Sequence, residues 1–107
     1  RCTVGDMLEN PALKDMSKAV LAETVALGRA KGVALEPGIE GRIWDALEAL
    51  PPQGRASTAI DIEHGRPLEV EWVSGAVVRL AAEAGVPAPL NGALYALLQP
   101  YRNGRKA

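Results

Sequence analysis

The sequence predicts an all-α domain of five to six helices, and three features of the chain favour that fold class. Alanine and leucine are abundant and phenylalanine is absent, and both of the abundant residues favour helix over strand. Apolar residues recur at the helical period in several separate segments. Proline and glycine clusters divide these segments into lengths typical of globular helices. With 107 residues, the chain has the length of a single domain.

The first half of the chain predicts a short helix and two longer ones. Residues 4–8 form a helical turn, and a long helix runs from residue 11 to about residue 31. Proline suits its first position because it has no N–H to lose there, and Gly32 suits its C-terminal end. A third helix begins with Pro37 in its first turn. The apolar stripes of the two longer helices are Leu13, Met16, Val20, Leu21, Val25 and Leu27, and Ile39, Ile43, Leu47 and Leu50.

The second half predicts three further helices. The loop "PPQGRAST" precedes a short helix over residues 57–64, which the turn Gly65-Arg66-Pro67 ends. A longer helix follows over residues 68–84, where the spacing of the valines and the "VVRLAAEA" ending favour helix over strand. After the stop at residues 85–89, Asn91 is the predicted N-cap of a last helix.

Composition and charge argue against several functional classes. The formal net charge is -1 with a pI near 5.8, and the only basic cluster is a short tail of Arg102, Arg105 and Lys106. Nucleic-acid binders usually carry a basic stripe, so we expect no nucleic-acid partner. We expect no membrane partner either, because no apolar run approaches the roughly 20 residues that span a bilayer. The single Cys2 and the lack of a signal peptide favour a cytoplasmic protein.

Three polar residues around one turn are candidates for chemistry, although each also has a structural explanation. Ser57 suits a helix N-cap, Asp61 lies one turn later on the same face, and Glu69 begins the next predicted helix. The only histidine, His64, has no partner that would indicate a zinc site or a catalytic triad. A Gly-rich dinucleotide motif and a P-loop are also absent from the sequence. The residues alone therefore leave open whether this turn is a polar surface or one wall of a binding site.

The stretch "STAIDIEHGRPLEVEWVSGAVVRLAAEAGVPAPLNGALYALL" resembles the C-terminal signature of the ketopantoate reductase (2-dehydropantoate 2-reductase) family. The family pattern runs Ser-Met, Gln-Asp and Gly-Arg-x-Thr-Glu-Ile-Asp-Tyr-Ile-Asn-Gly, then an amphipathic helix and Gly-Val-x-x-Pro-x-Asn. The positions in register are Ser57, Asp61, Gly65-Arg66, Glu69, Gly75, Gly85-Val86, Pro89 and Asn91. A looser match covers residues 3–35, so the resemblance extends over nearly the whole chain.

The resemblance implies that residues 1–107 are the helical C-terminal substrate-binding domain of an NADPH-dependent reductase, with a 6-phosphogluconate dehydrogenase C-terminal-like fold. Such an enzyme converts 2-dehydropantoate to pantoate in pantothenate biosynthesis, and an N-terminal Rossmann domain, absent here, binds the NADPH. By motif position, Glu69 is the catalytic glutamate that supports the family's lysine and the substrate hydroxyl. Ser57 is expected to bind the substrate, and Asp61 to line or support the same pocket.

The chain departs from the family pattern at several positions. The differences are Thr58 for Met, Leu68 for Thr, Glu71 for Asp, Trp72 for Tyr and Ser74 for Asn. Those at positions 72 and 74 leave open a related reductase that acts on a different 2-oxo acid. The chain begins with Arg1 rather than Met, which indicates a cut or processed end. Because the family's lysine and NADPH domain lie upstream of it, we expect the chain to be inactive by itself.

An interpretation from another functional class also remains. The chain would then be a free-standing helical module for self-association, with the family fold and no catalysis. Apolar surface left by an absent partner domain would favour a homodimer under either interpretation.

Overall fold

The computed structural model describes residues 2–104, and the regular secondary structure of that range is all helical, with no strand. The elements are α1 (Val4–Glu9), α2 (Pro11–Ala30), α3 (Ile39–Glu48), α4 (Ser57–Glu63), α5 (Ser74–Ala84), α6 (Pro89–Leu98) and a 3₁₀ turn (Gln99–Tyr101). The predicted fold class and helix number are therefore confirmed. None of the described helices is long and apolar enough to span a membrane.

The long helix α2 organises the fold, since it contacts α1, α3, α5 and α6. Its ends follow the prediction. Pro11 takes the first position, and the Asn10 side chain caps the helix by accepting a hydrogen bond from the Leu13 N–H at 3.0 Å. Gly32 follows the last turn with φ 84, a conformation that side chains with a Cβ rarely adopt.

The core is small because the molecule measures only 21 Å along its shortest axis. Its buried apolar residues are Val25, Leu27, Trp44, Leu68, Val70 and Ala81. Much of the predicted stripe of α2 is consequently not buried: Leu13 and Met16 remain 37% and 36% exposed. These apolar side chains are available for contacts beyond the domain's own core.

The helix predicted over residues 68–84 is too long, because α5 begins only at Ser74. Residues 66–69 have no regular structure, and residues 70–73 form a turn. The N–H of Leu68 donates to the Arg102 carbonyl at 3.0 Å, so it bonds to a distant segment rather than to a helix. Pro67 also disfavours a helical conformation for the residue before it. Tertiary contacts here override the helical spacing of the valines.

The start of the third helix and the cap of α4 differ from the prediction. The third helix begins at Ile39 rather than with Pro37 in its first turn, because Gly38 precedes it with φ 79. Ser57 is the first residue of α4 and not its N-cap, a position that Ala56 takes without a side-chain hydrogen bond. Ser57 is therefore not used to cap the helix on which it lies.

Candidate functional site

Glu69 lies in the irregular segment between α4 and α5, with its side chain exposed. Its two neighbours, Leu68 and Val70, are buried, at 9% and 3% exposure. Because successive side chains of an extended segment point in opposite directions, this alternation directs Glu69 away from the core. Within residues 2–104, the Glu69 carboxylate makes no hydrogen bond and no ion pair.

The backbone around Glu69 is nevertheless held in place. Its carbonyl accepts hydrogen bonds from the N–H groups of Trp72 and Val73, at 3.0 and 3.2 Å. The bond from the Leu68 N–H to the Arg102 carbonyl fastens the preceding residue to the segment after α6. The segment thus holds an unpaired carboxylate on a fixed main chain. This arrangement leaves the carboxylate able to contact a ligand or another protein surface.

Asp61 is engaged in a local contact. Its carboxylate accepts a hydrogen bond from Arg66 Nε at 2.9 Å, and its carbonyl accepts one from the Arg66 N–H at 2.8 Å. These bonds fasten the turn that contains Gly65, at φ 67, to the end of α4. Ser57 lies one helical turn before Asp61 and is exposed. In the part of the chain that the structure describes, no hydrogen bond or ion pair joins Ser57, Asp61 and Glu69 to one another.

The C-terminal segment packs against this turn, a contact that the helical pattern of the sequence does not indicate. Gly104 is buried with φ 100, and a Cβ added to it would lie 2.9 Å from the Gly65 carbonyl oxygen. Arg102 and Asn103 of the tail are exposed and Gly104 is buried, whereas Arg105 and Lys106 lie outside the described residues. Gly104 itself was the available signal, since glycine often marks a close approach of two backbone segments.

Glu23, at the centre of α2, caps the N-terminus of α6 from a distance. Its carboxylate accepts hydrogen bonds from the Leu90 N–H at 2.8 Å, and from the N–H and side-chain amide of Asn91, both at 3.1 Å. Asn91 is 5% exposed and lies inside α6, which begins at Pro89, so its predicted N-cap role is wrong. Partial burial opposes ionisation of Glu23, but the bonds from Asn91 and Leu90 outweigh it and lower the pKa of Glu23.

A second overlooked contact joins Glu71 to α5 and α6. The Tyr95 hydroxyl donates to the Glu71 carboxylate, with its oxygens at 2.9 and 2.8 Å. Arg79 donates from Nη2 to the Glu71 carbonyl at 2.8 Å, and its Nη1 lies 3.5 Å from Glu71 Oε2. The hydrogen bond to Glu71, together with desolvation, raises the pKa of Tyr95. Glu71 differs from Glu69 in this respect, since both its main chain and its side chain are engaged.

Two cavities lie away from these polar residues. An apolar groove of about 450 Å³ lies between α1, α2, α4 and α6, and its lining residues include Met7, Met16 and Leu94. A smaller one, of about 290 Å³, lies beside Trp44. Ser57, Asp61 and Glu69 line neither cavity. Across residues 2–104, no group of three or more histidine, cysteine, aspartate or glutamate side chains is arranged to hold a metal ion.

Comparison with known proteins identifies one family. The family profile described as "Ketopantoate reductase PanE/ApbA C terminal" matches residues 1–102. A 2-dehydropantoate 2-reductase of Archaeoglobus fulgidus is 27% identical over 100 residues, which are 94% of this chain and 33% of that protein. A 2-dehydropantoate 2-reductase of Caulobacter vibrioides is 31% identical over 81 residues, which are 76% of this chain and 28% of that protein.

Solved structures give the same result. A dimeric ketopantoate reductase from Staphylococcus aureus has a TM-score of 0.87 at 27% identity, covering 94% of this chain and 35% of that one. A PanE/ApbA family ketopantoate reductase from Ralstonia eutropha JMP134 has a TM-score of 0.83 at 29% identity, with 94% and 34% covered. The chain spans about a third of the length of the relatives it matches.

Proposed function

The chain belongs to the family of ketopantoate reductase C-terminal domains, and we propose that it is the substrate-binding domain of an NADPH-dependent reductase. The proposed substrate is 2-dehydropantoate or a related 2-oxo acid, and the reaction belongs to the whole protein. The observation that carries this proposal is Glu69, an exposed and unpaired carboxylate on a fixed backbone, at the motif position of the family's glutamate.

In this proposal Glu69 completes a site that another domain supplies in part. A carboxylate beside a lysine ammonium favours its charged form, so the lysine stays protonated and directed at the substrate ketone. That proton is then available to the oxygen as negative charge develops on it. NADPH, when bound, supplies the hydride. This chain has no Gly-rich turn that suits a dinucleotide, so we assign the cofactor to an N-terminal Rossmann domain.

The two other candidates take different parts in the proposed site. Ser57 is exposed, and within residues 2–104 its hydroxyl makes no hydrogen bond, which leaves it able to bind the substrate. Asp61 is held by Arg66, and its side chain is only 24% exposed. We therefore assign Asp61 to supporting the turn beside the substrate, with direct substrate contact left to Ser57 and Glu69.

Activity of the full-length protein that contains this domain tests the proposal. NADPH consumption is measured with 2-dehydropantoate, with other 2-oxo acids, and with NADH replacing NADPH. Substrate-dependent oxidation is expected from the full-length protein and none from residues 1–107 alone. If no 2-oxo acid is reduced by a folded, NADPH-binding protein, the proposal is wrong.

Self-association is a second candidate function, favoured by exposed apolar side chains. Trp72, Val73 and Leu97 are 78%, 60% and 70% exposed, and the similar Staphylococcus aureus enzyme is described as dimeric. Sedimentation of the full-length protein, compared with its Leu97→Ser variant, tests this role. A dimer that the substitution weakens supports it, whereas a monomer at all concentrations contradicts it.

A further inference from the structure

The segment that carries Glu69 is fastened by a cluster that consists of Glu71, Tyr95 and Arg79. We propose that this cluster positions Glu69 for catalysis, so that Glu71 and Tyr95 are positioning residues of the reductase. The inference rests on the proposed function, because it concerns how that function's glutamate is held. None of the three residues needs to contact the substrate in this role.

The cluster joins three separate elements at a point two residues beyond Glu69. Tyr95 belongs to α6 and Arg79 to α5, while Glu71 lies in the turn before α5. Tyr95 holds the Glu71 side chain, at 2.8 and 2.9 Å, while Arg79 holds the Glu71 carbonyl at 2.8 Å. Both the main chain and the side chain of Glu71 are therefore fixed to the packed pair of helices α5 and α6.

Gly75 gives independent support, because it leaves the space that the cluster occupies. A Cβ at this position would lie 2.9 Å from Tyr95 Cε1 and 3.2 Å from Arg79 Nη1. The Gly75 N–H also donates to the Val70 carbonyl at 2.8 Å, which ties the residue after Glu69 to the start of α5. A glycine here therefore permits both the close approach of the tyrosine ring and the tight turn.

The cluster matters because the Glu69 side chain has no partner of its own in the described part of the chain. No side chain within residues 2–104 holds the Glu69 carboxylate, so its position depends on the main chain that carries it. A misplacement of about 1 Å in a catalytic group can lower turnover by up to about a hundredfold. The turn's own bonds to the Glu69 carbonyl fix its local path, and the cluster fastens that turn to the neighbouring helices α5 and α6.

The test compares two single-atom changes in the full-length reductase. Tyr95→Phe removes the hydroxyl that binds Glu71, whereas the control Tyr101→Phe removes a hydroxyl that makes no hydrogen bond within residues 2–104. We expect Tyr95→Phe to lower kcat by about tenfold, with KM within about twofold of the wild type. Amide hydrogen exchange over residues 70–75 is expected to become faster in that variant only. Glu71→Ala should give a similar loss, and the double variant little more, because the two residues act as a unit.

Each outcome decides the proposal. Faster exchange together with a lower kcat and an unchanged KM supports it. Unchanged exchange, or faster exchange with wild-type kcat, overturns the positioning role even if the enzyme is a reductase. Full activity in Glu69→Ala overturns the catalytic assignment of Glu69, and the positioning role with it. In that last case, the exchange data still show separately whether Tyr95 restrains the turn.

Discussion

Two glutamates of this domain are used in opposite ways. Glu23 is half-buried on a regular helix, and its carboxylate accepts three hydrogen bonds from the start of α6. Glu69 is exposed in an irregular segment, and its carboxylate has no partner within residues 2–104. Yet the backbone of Glu69 is restrained through its own carbonyl, through its buried neighbours and through the cluster of Glu71, Tyr95 and Arg79.

The difference shows which carboxylate the fold uses and which it leaves unpaired. Removing a charge from water costs free energy unless hydrogen bonds compensate for it. The three hydrogen bonds to the Glu23 carboxylate provide that compensation. An exposed carboxylate incurs no such cost, and the fold gives Glu69 no hydrogen bond, although the buried neighbours Leu68 and Val70 restrain its main chain. A restrained main chain with an unpaired charged side chain is instead the arrangement that a binding or catalytic role requires.

Removing Glu23 should have the largest effect on stability. Glu23→Ala leaves the buried Asn91 side chain and two N–H groups of α6 without their acceptor. We expect the free energy of unfolding to fall by about 2 to 3 kcal/mol, measured by denaturant unfolding of the chain. Asp15→Ala, on the exposed face of the same helix, is the control and should change it by less than about 0.5 kcal/mol. A loss of that small size in Glu23→Ala would contradict the capping role.

Lowering the pH should weaken the same contact of Glu23, with a smaller effect on the free energy of unfolding than the substitution has. The folded-state pKa of Glu23 lies below its usual value of 4.5, so its contribution is fully present above that pH. The contribution is lost as the pH falls through the lowered, folded-state pKa. Stability measured against pH should therefore decline more steeply for the wild type than for Glu23→Gln. Parallel curves for the two proteins through the acid range would show that the ionised form of Glu23 is not favoured by folding.

Removing the charge of Asp61 should have the smallest effect on stability. Its partner Arg66 is 54% exposed, and pairs of this kind contribute about 1 kcal/mol or less. Asp61→Asn should therefore lower the free energy of unfolding by at most that amount, and added salt should reduce the difference. A loss of about 3 kcal/mol would mean that the pair behaves as a buried one.

Local sequence rules predicted the fold class and most helix ends. Pro11, Gly32 and Gly85 mark helix ends as their backbone chemistry requires, and the last two have positive φ. The rules failed where distant contacts decide the conformation. Residues 68–73 leave the helical path because Leu68 bonds to Arg102 and packs into the core, which no local pattern encodes.

The candidate site was predictable from the motif, but its supporting contacts were not. Ser57, Asp61 and Glu69 were identified by their order along the chain, whereas Tyr95 lies 24 residues beyond Glu71. Asn91 shows the same limit, because its residue type suits a helix cap while its actual partner is Glu23, 68 residues away. Side-chain partners on separate helices depend on how those helices pack, and periodicity along one helix does not contain that information.

Turnover of Glu69→Ala in the full-length protein that contains this domain tests the central claim most directly, with Glu9→Ala as its control. Glu9 is also an exposed glutamate and makes no ion pair within residues 2–104. We predict that Glu69→Ala lowers kcat by more than about tenfold, while its unfolding free energy stays within about 0.5 kcal/mol of the wild type. Glu9→Ala should change neither quantity. Turnover of Glu69→Ala within about twofold of the wild type would contradict the account.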